Sequence, residues 1–306
     1  MSNSGPMRIG TRGSALARWQ ADWVAAQLTA ANVNVELIFI STQGDVKSGP
    51  IGAIGAQGVF TKELQRALLD ERIDLAVHSL KDLPTDHVDG LTLAAVPPRE
   101  RCGDVLVSKF DSLSDLPQNA TVGTGSARRQ AQLLHARGDL NVIDIRGNVD
   151  TRLQKLDDGE YDAIVLAEAG LTRLGLDDRI RCVLPKQLML PAIGQGALGL
   201  ECRAGDDATR TIVASLNDEA SHAAVIAERS LLRTLRGGCL APIGAWGRIE
   251  QGNLVLDAVV LNHEGTERLS AGGRASIEEA EQLGVSIANE LLDAGASELI
   301  AASRSS

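Results

Sequence analysis

Short apolar runs alternate with amphipathic segments through the first two-thirds of the chain, the pattern of strand–helix–strand units built on a largely parallel sheet. Residues 8–10 predict a strand, and Ser14 stands as N-cap to a helix with an expected apolar stripe of Leu16, Trp19, Trp23, Ala26 and Ala30. Residues 35–40 predict a strand and 61–69 a helix. Residues 73–77 read as an apolar strand broken only by Asp74, which suits a strand covered on both faces. Residues 91–96 close this first unit, and Pro97-Pro98 marks its boundary.

The plan then repeats. Strands are expected over 104–107, 121–123, 142–145 and 163–167, with a helix capped by Ser126 running to about Arg137 and another over 149–156. Pro185 and Pro191 mark where the chain leaves this second unit. From about Ser221 the pattern changes to a helix over 222–235 stopped by Gly237-Gly238. Strands over 245–249 and 254–261, joined through Gln251-Gly252-Asn253, follow, with a closing helix over 277–292. The expected class is α/β, with two α/β domains followed by a small α+β domain. No internal repeat of solenoid length is present.

Composition narrows the function. The 306 residues, 44% hydrophobic, can bury a large core and fill two or three domains. A net charge of -10 argues against non-specific binding to nucleic acid or to an anionic membrane, and 2% aromatic residues leave no stacking platform for single strands. The four cysteines, Cys102, Cys182, Cys202 and Cys239, form no CxxC pair, and the five histidines have no metal-ligand spacing. A reducing compartment without a disulfide framework or metal is therefore expected. Residues 1–7 carry no apolar leader core, and no run of about 18 apolar residues follows. These features predict a soluble cytoplasmic protein.

Three groups of residues carry candidate chemistry. Cys239 follows Gly237-Gly238, which either merely stop a helix ahead of a small buried thiol or let a loop approach a bulky ligand while presenting the sulfur. A thiolate is a strong nucleophile, but no adjacent histidine activates it, so a single alkylation fits better than repeated acyl transfer. Lys81 and Asp82 follow the strand over 73–77, where open α/β sheets bind ligands beyond the carboxyl ends of their strands, although a solvated turn pair ahead of Pro84 would look the same. The arginines are harder to explain as surface charge. Arg12 before Gly13-Ser14, Arg128 and Arg129 after Thr124-Gly125-Ser126, Arg146 before Gly147, and Arg152 all fall at strand-to-helix turns, while Arg173 follows Gly170. Arginine matches planar carboxylates bidentately, and helix N-termini favour anions, so a positively lined cleft is expected. Residues 191–203 are dense in glycine but lack the context of a dinucleotide site, and a chain crossing back between domains accounts for them. Cys182 and Cys202 lie in apolar surroundings and are expected to be buried thiols.

With these segments in view, the chain resembles the hydroxymethylbilane synthase (porphobilinogen deaminase) family. The motifs that carry the resemblance are Thr11-Arg12-Gly13-Ser14, His78-Ser79-Leu80-Lys81-Asp82-Leu83-Pro84, Gly123-Thr124-Gly125-Ser126-Ala127-Arg128-Arg129-Gln130, Arg146-Gly147-Asn148-Val149-Asp150-Thr151-Arg152, residues 191–203, and Gly237-Gly238-Cys239. The resemblance implies two type II periplasmic-binding-protein-like α/β domains, the first discontinuous (1–97 with about 197–216, then 98–196), and an α+β C-terminal domain over 217–306. It implies a dipyrromethane cofactor thioether-linked to Cys239, and successive addition of four porphobilinogen molecules with loss of ammonia. Hydroxymethylbilane is then released to a downstream cyclising synthase, and a monomer is expected.

By resemblance, Asp82 is the catalytic carboxylate, stabilising positive charge on a pyrrole nitrogen. Lys81, Asp82, Thr124, Ser126, Arg128, Arg129 and Arg152 contact the cofactor. Arg12, Ser14, Arg146 and Arg173 hold substrate. Residues 51–60 lack the lysines that many members of the family carry there. Two other readings of the residues stay open at this point. One is a non-catalytic solute-binding or sensor protein, and the other a cysteine acyltransferase with a histidine brought close to Cys239.

Overall fold

The computed structural model describes residues 5–41, 61–238 and 241–303. Cys239 and the 51–60 segment lie outside the described residues. The chain divides into two compact units, Met1–Arg99 with Ala197–His222, and Glu100–Gly196 with Ala223–Ser306.

The first unit contains β1 (Met7–Thr11), α1 (Ala15–Ala30), β2 (Val35–Phe39), α2 (Lys62–Leu69), β3 (Leu75–Ser79), β4 (Leu91–Ala95), β10 (Leu198–Arg203) and α6 (Asp207–Ala214). Its sheet runs in the order β2-β1-β3-β10-β4, with β1 parallel to β2 and β3, and β10 antiparallel to β3 and β4. Both faces are covered, which is why the strands read as continuous apolar runs. Ile9, Leu75, Val77 and Leu200 pack with Val24 and Leu28 of α1, while Ile73, Ala76 and Leu91 pack with Leu64 and Leu68 of α2.

The buried face of α1 is not the expected stripe. Gln20, Ala21, Val24 and Leu28 are buried, Ala26 and Ala30 are exposed, and Leu16, Trp19 and Trp23 are half-buried. A polar residue sets the rotation: Gln20 donates to Ser79 Oγ at 2.8 Å and accepts from it at 3.1 Å, locking the helix onto β3. The glycine-dense segment carries the expected crossing, since the boundary between the units falls at Gly196 and Ala197. After Gly196 it forms β10, an interior strand, and a Cβ at Gly199 would lie 2.7 Å from Leu80 Cδ1. That glycine, just beyond the crossing, serves close packing.

The second unit repeats the sheet plan with β5 (Asp104–Ser108), β6 (Thr121–Gly123), α3 (Ala127–Ala136), β7 (Asn141–Ile143), α4 (Val149–Asp157), β8 (Ala163–Ala167), α5 (Glu168–Arg173) and β9 (Cys182–Val183). The order is β7-β6-β8-β5-β9, with β6 parallel to β7 and β8, and β5 antiparallel to β8 and β9. In each sheet the antiparallel fourth strand is the one that follows a crossing between units, β5 after Arg99 and β10 after Gly196. Ser126 has the extended backbone of an N-cap, but its side chain makes no capping bond. Arg173 lies on α5 rather than in a glycine turn. Cys202 is buried as expected, whereas Cys182 is only half-buried.

The C-terminal part comprises α7 (Glu219–Thr234), β11 (Ile243–Glu250), β12 (Asn253–Leu261), β13 (Arg268–Ala275), α8 (Ala280–Asp293) and α9 (Ala296–Ala302), with the strands forming an antiparallel meander. Gln251 and Gly252, both at positive φ, make the two-residue turn between β11 and β12. Leu254, Leu256, Ala258 and Val260 face Leu231, Ile287 and Leu291, and on the opposite side Val259 and Leu261 pack on Ala131 of α3 and Leu190. The structure thus has the expected class, α/β with a small α+β C-terminal part. No described helix is long and apolar enough to cross a membrane.

Candidate active site

In the first unit, adjacent parallel strands β1 and β3 place Arg12 and the turn after Ser79 at the same edge of the sheet. Ser14 caps α1 by accepting from Ala17 N at 3.3 Å. Leu80 to Asp82 form one 3₁₀ turn, pinned by buried Leu80 and Leu83 and by the hydrogen bond from Leu80 N to Ala197 O at 3.0 Å. Lys81 and Asp82 are exposed on that turn. Behind them lies a polar group missed in the sequence: buried His78 Nε2 sits 3.0 Å from Glu201 Oε2, and Gln65 donates to Glu201 Oε1 at 3.0 Å.

In the second unit, the carboxyl ends of β6, β7 and β8 carry the other candidates. Residues 124–126 form a tight turn in which buried Thr124 donates its N–H to Ile143 O at 3.0 Å and accepts from Ser126 N at 3.3 Å. A Cβ on Gly125 would lie 2.8 Å from Asp144 Oδ1 and 3.1 Å from Ile145 O, so glycine lets this turn abut the one carrying Arg146. Arg146 donates to Asp144 Oδ2 at 2.6 Å, and Arg152 donates from Nε to Gly147 O at 2.8 Å. Thr124, Ser126, Arg128, Arg129, Arg146 and Arg152 therefore gather at neighbouring turns. Arg173 is tied to the crossover turn, donating to Gly196 O at 2.7 Å.

Arg128 and Arg129 already hold a carboxylate. Asp104, fully buried at the start of β5, accepts from Arg128 NH1 at 2.7 Å and from Arg129 Nε at 2.8 Å. Burial pushes this carboxyl up, but the two guanidiniums and hydrogen bonds from Arg128 and Gln195 overcome that and hold it well below the usual range. Arg152 has no such partner among the described residues. Burial, followed by the charges of Arg129 and Arg146, pushes its guanidinium down to about 10, with only Asp144 opposing. Burial also lowers Arg173, against the pull of Glu100. Arg128 Nε is buried and has no acceptor among the described residues. Mutually repelling, partly desolvated guanidiniums and an orphaned donor are what a site for a polycarboxylate presents before the carboxylates arrive.

Two family models match the chain. The porphobilinogen deaminase dipyromethane cofactor binding domain matches residues 7–211, and the porphobilinogen deaminase C-terminal domain matches residues 222–293. The chain belongs to the porphobilinogen deaminase family. It is accordingly an enzyme, a transferase of tetrapyrrole biosynthesis with a dipyrromethane cofactor, rather than a non-catalytic sensor. The arginine face fits that group, because each pyrrole of the cofactor carries two carboxylates.

The chain is also similar to a large set of solved structures. One is the periplasmic VFT2 domain of BvgS from Bordetella pertussis, 14% identical over 69% of this chain and 86% of that one, with a TM-score of 0.42. Another is a nutrient binding protein from Burkholderia cenocepacia bound to methionine, 15% identical over 68% and 90% of the two chains, with a TM-score of 0.40. A third is the periplasmic aliphatic sulphonate binding protein SsuA from Escherichia coli, 14% identical over 76% and 70%, with a TM-score of 0.39.

Proposed function

We propose that this member of the porphobilinogen deaminase family condenses four porphobilinogen molecules head to tail on a dipyrromethane primer thioether-linked to Cys239. Each addition releases one ammonia, and one water then frees linear hydroxymethylbilane. The observation that carries this reading is the arginine face of the second unit, where Arg152 is driven down by burial and by Arg129 and Arg146. When bound, the cofactor would supply a free pyrrole position to which the first porphobilinogen is joined.

Arg128, Arg129 and Arg152, with Thr124 and Ser126 at the turn, hold its carboxylates. Arg12, Ser14, Arg146 and Arg173 are assigned to the carboxylates of the incoming substrate, and Lys81 to a carboxylate of the cofactor. Asp82 contacts the cofactor and is the catalytic residue. Its carboxylate, exposed on a turn pinned by Leu80 and Leu83, accepts pyrrole N–H groups and stabilises positive charge on the substrate nitrogen as ammonia leaves.

In this reading the chain has three domains, 1–97 with about 197–216, 98–196, and 217–306. It acts as a cytoplasmic monomer, and its product passes to a cyclising synthase. Intact-mass measurement of the wild type and of Cys239→Ser tests the central claim. The wild type is expected to carry a dipyrrole adduct that gives colour with acidic aldehyde reagent, and the variant to carry none. An adduct on Cys102, Cys182 or Cys202, or active protein without one, would rule it out.

A further inference from the structure

Asp104 is more than one half of a buried ion pair. Its Oδ1 accepts from three nitrogens, Arg128 NH2 at 3.2 Å, Arg129 Nε at 2.8 Å and Gln195 Nε2 at 3.1 Å, and lies 2.7 Å from Arg129 NH2 in the ion pair. Its Oδ2 accepts from Arg128 NH1 at 2.7 Å. The far sides of the guanidiniums are held by backbone: Arg128 NH1 also donates to Leu190 O at 2.5 Å, and Arg129 NH1 to Val165 O at 2.9 Å. Gln195 brings in the crossover turn, because the same Nε2 reaches Cys102 O and Gly103 O at 3.0 Å. Two cations thus share one anion and keep a single excess positive charge. Each guanidinium has five N–H donors, and Asp104 and the two carbonyls do not use them all; one left over is the buried Arg128 Nε.

We propose that Asp104 is the positioning residue of this face. It fixes the aim of the Arg128 and Arg129 guanidiniums, and leaves ligand carboxylates to the donors it does not take and to Arg152. The proposal rests on the reading of the face as the cofactor-carboxylate site. A purely structural ion pair requires only that charge be compensated, and apolar packing can often replace it. A positioning carboxylate requires that the oxygens stay where they are, so lengthening the side chain by one methylene separates the two roles. Asp104→Glu keeps the charge and displaces the oxygens, whereas Asp104→Asn removes the charge and keeps the length.

The test uses full-length protein produced free of cofactor in cells that make no porphobilinogen. Adduct formation on added porphobilinogen is followed by intact mass, and folding by thermal midpoint. Asp104→Glu is expected to stay folded and to lose less midpoint than Asp104→Asn, while the porphobilinogen concentration that half-saturates adduct formation rises about tenfold or more, the size of one misaimed charge-assisted hydrogen bond. Asp104→Asn should show the same rise together with a lower midpoint. Wild-type half-saturation in Asp104→Glu overturns the proposal, as does a change that only tracks the loss of folded protein. Failure of both variants to fold makes Asp104 structural and overturns it too. If the wild type forms no adduct, the functional reading fails and this inference with it. A normal wild type matched by Asp104→Glu removes the inference alone.

Discussion

Replacing Arg152 by Met should stabilise the cofactor-free protein. A guanidinium held at about 10 rather than 12.5 is disfavoured at pH 7 by about 3 kcal/mol. Arg152 is only half-buried, so solvent screening reduces this to about 2 kcal/mol. The substitution gives up the hydrogen bond from Nε to Gly147 O, worth about 1 kcal/mol net. The balance is a gain of about 1 kcal/mol, from removing a charge that burial, and then Arg129 and Arg146, disfavour.

The sign of the pH dependence follows from the lowered pKa. The penalty is in full force below pH 10 and is relieved as pH rises through that value, so the variant's advantage shrinks above about pH 9. Salt shrinks it as well, by screening Arg129 and Arg146. Urea unfolding of Cys239→Ser and Cys239→Ser/Arg152→Met at pH 7 and low salt measures the effect, since the proposed attachment leaves both free of cofactor. With Cys239 intact, Arg152→Met should acquire adduct poorly. A double variant less stable than Cys239→Ser at low salt would show that Arg152 is satisfied within the protein, and the anion-site reasoning would fall.

Asp82→Asn should retain the adduct and its stability, because Asp82 is exposed, yet turn over about a hundredfold more slowly; near wild-type turnover in a steady-state assay would move the catalytic role elsewhere. Asp74 accepts from Arg8 N, Nε and NH2 and from Arg203 NH2, and despite burial Arg8 and Arg203 hold its carboxyl below 3.8. Its contribution is therefore present above about pH 4 and lost as pH falls through the lowered value. Asp74→Asn should cost about 2–3 kcal/mol at pH 7 and flatten the acid limb of the stability curve, as read by denaturant unfolding between pH 7 and pH 3.

What was legible in the sequence had local causes. β3, β5 and β8 stood out because strands covered on both faces read as mostly apolar runs. The arginines of the site stood out because Thr124-Gly125-Ser126 and Arg146-Gly147-Asn148 are turn signals next to them. β13 did not stand out, since Gly272 and Gly273 interrupt its alternation, and β10 was hidden by glycines that serve packing against Leu80. The face of α1 was misjudged because Gln20 is buried through a partner 59 residues away. Asp104 was read as the start of a strand, for its partners Arg128 and Gln195 lie 24 and 91 residues along the chain. Nothing in the spacing of those residues encodes that contact.

The same distinction explains how a chain of net charge -10 carries a face for polyanions. Exposed carboxylates are screened by salt within about 10 Å, so their sum governs solubility and long-range encounter more than local affinity. Arg129, Arg146 and Arg152 act on one another where burial has removed much of that screening, and the carboxylates nearest them are few: Asp104 shared by two guanidiniums, and Asp144 beside Arg146. Net charge therefore bears on whether the protein binds nucleic acid non-specifically. The sign of the ligand is set by how many carboxylates the fold leaves inside the arginine cluster. Were that number raised by one, with Ser126 replaced by Asp, the charge on Arg152 would be answered from within and the need for a ligand carboxylate would fall with it.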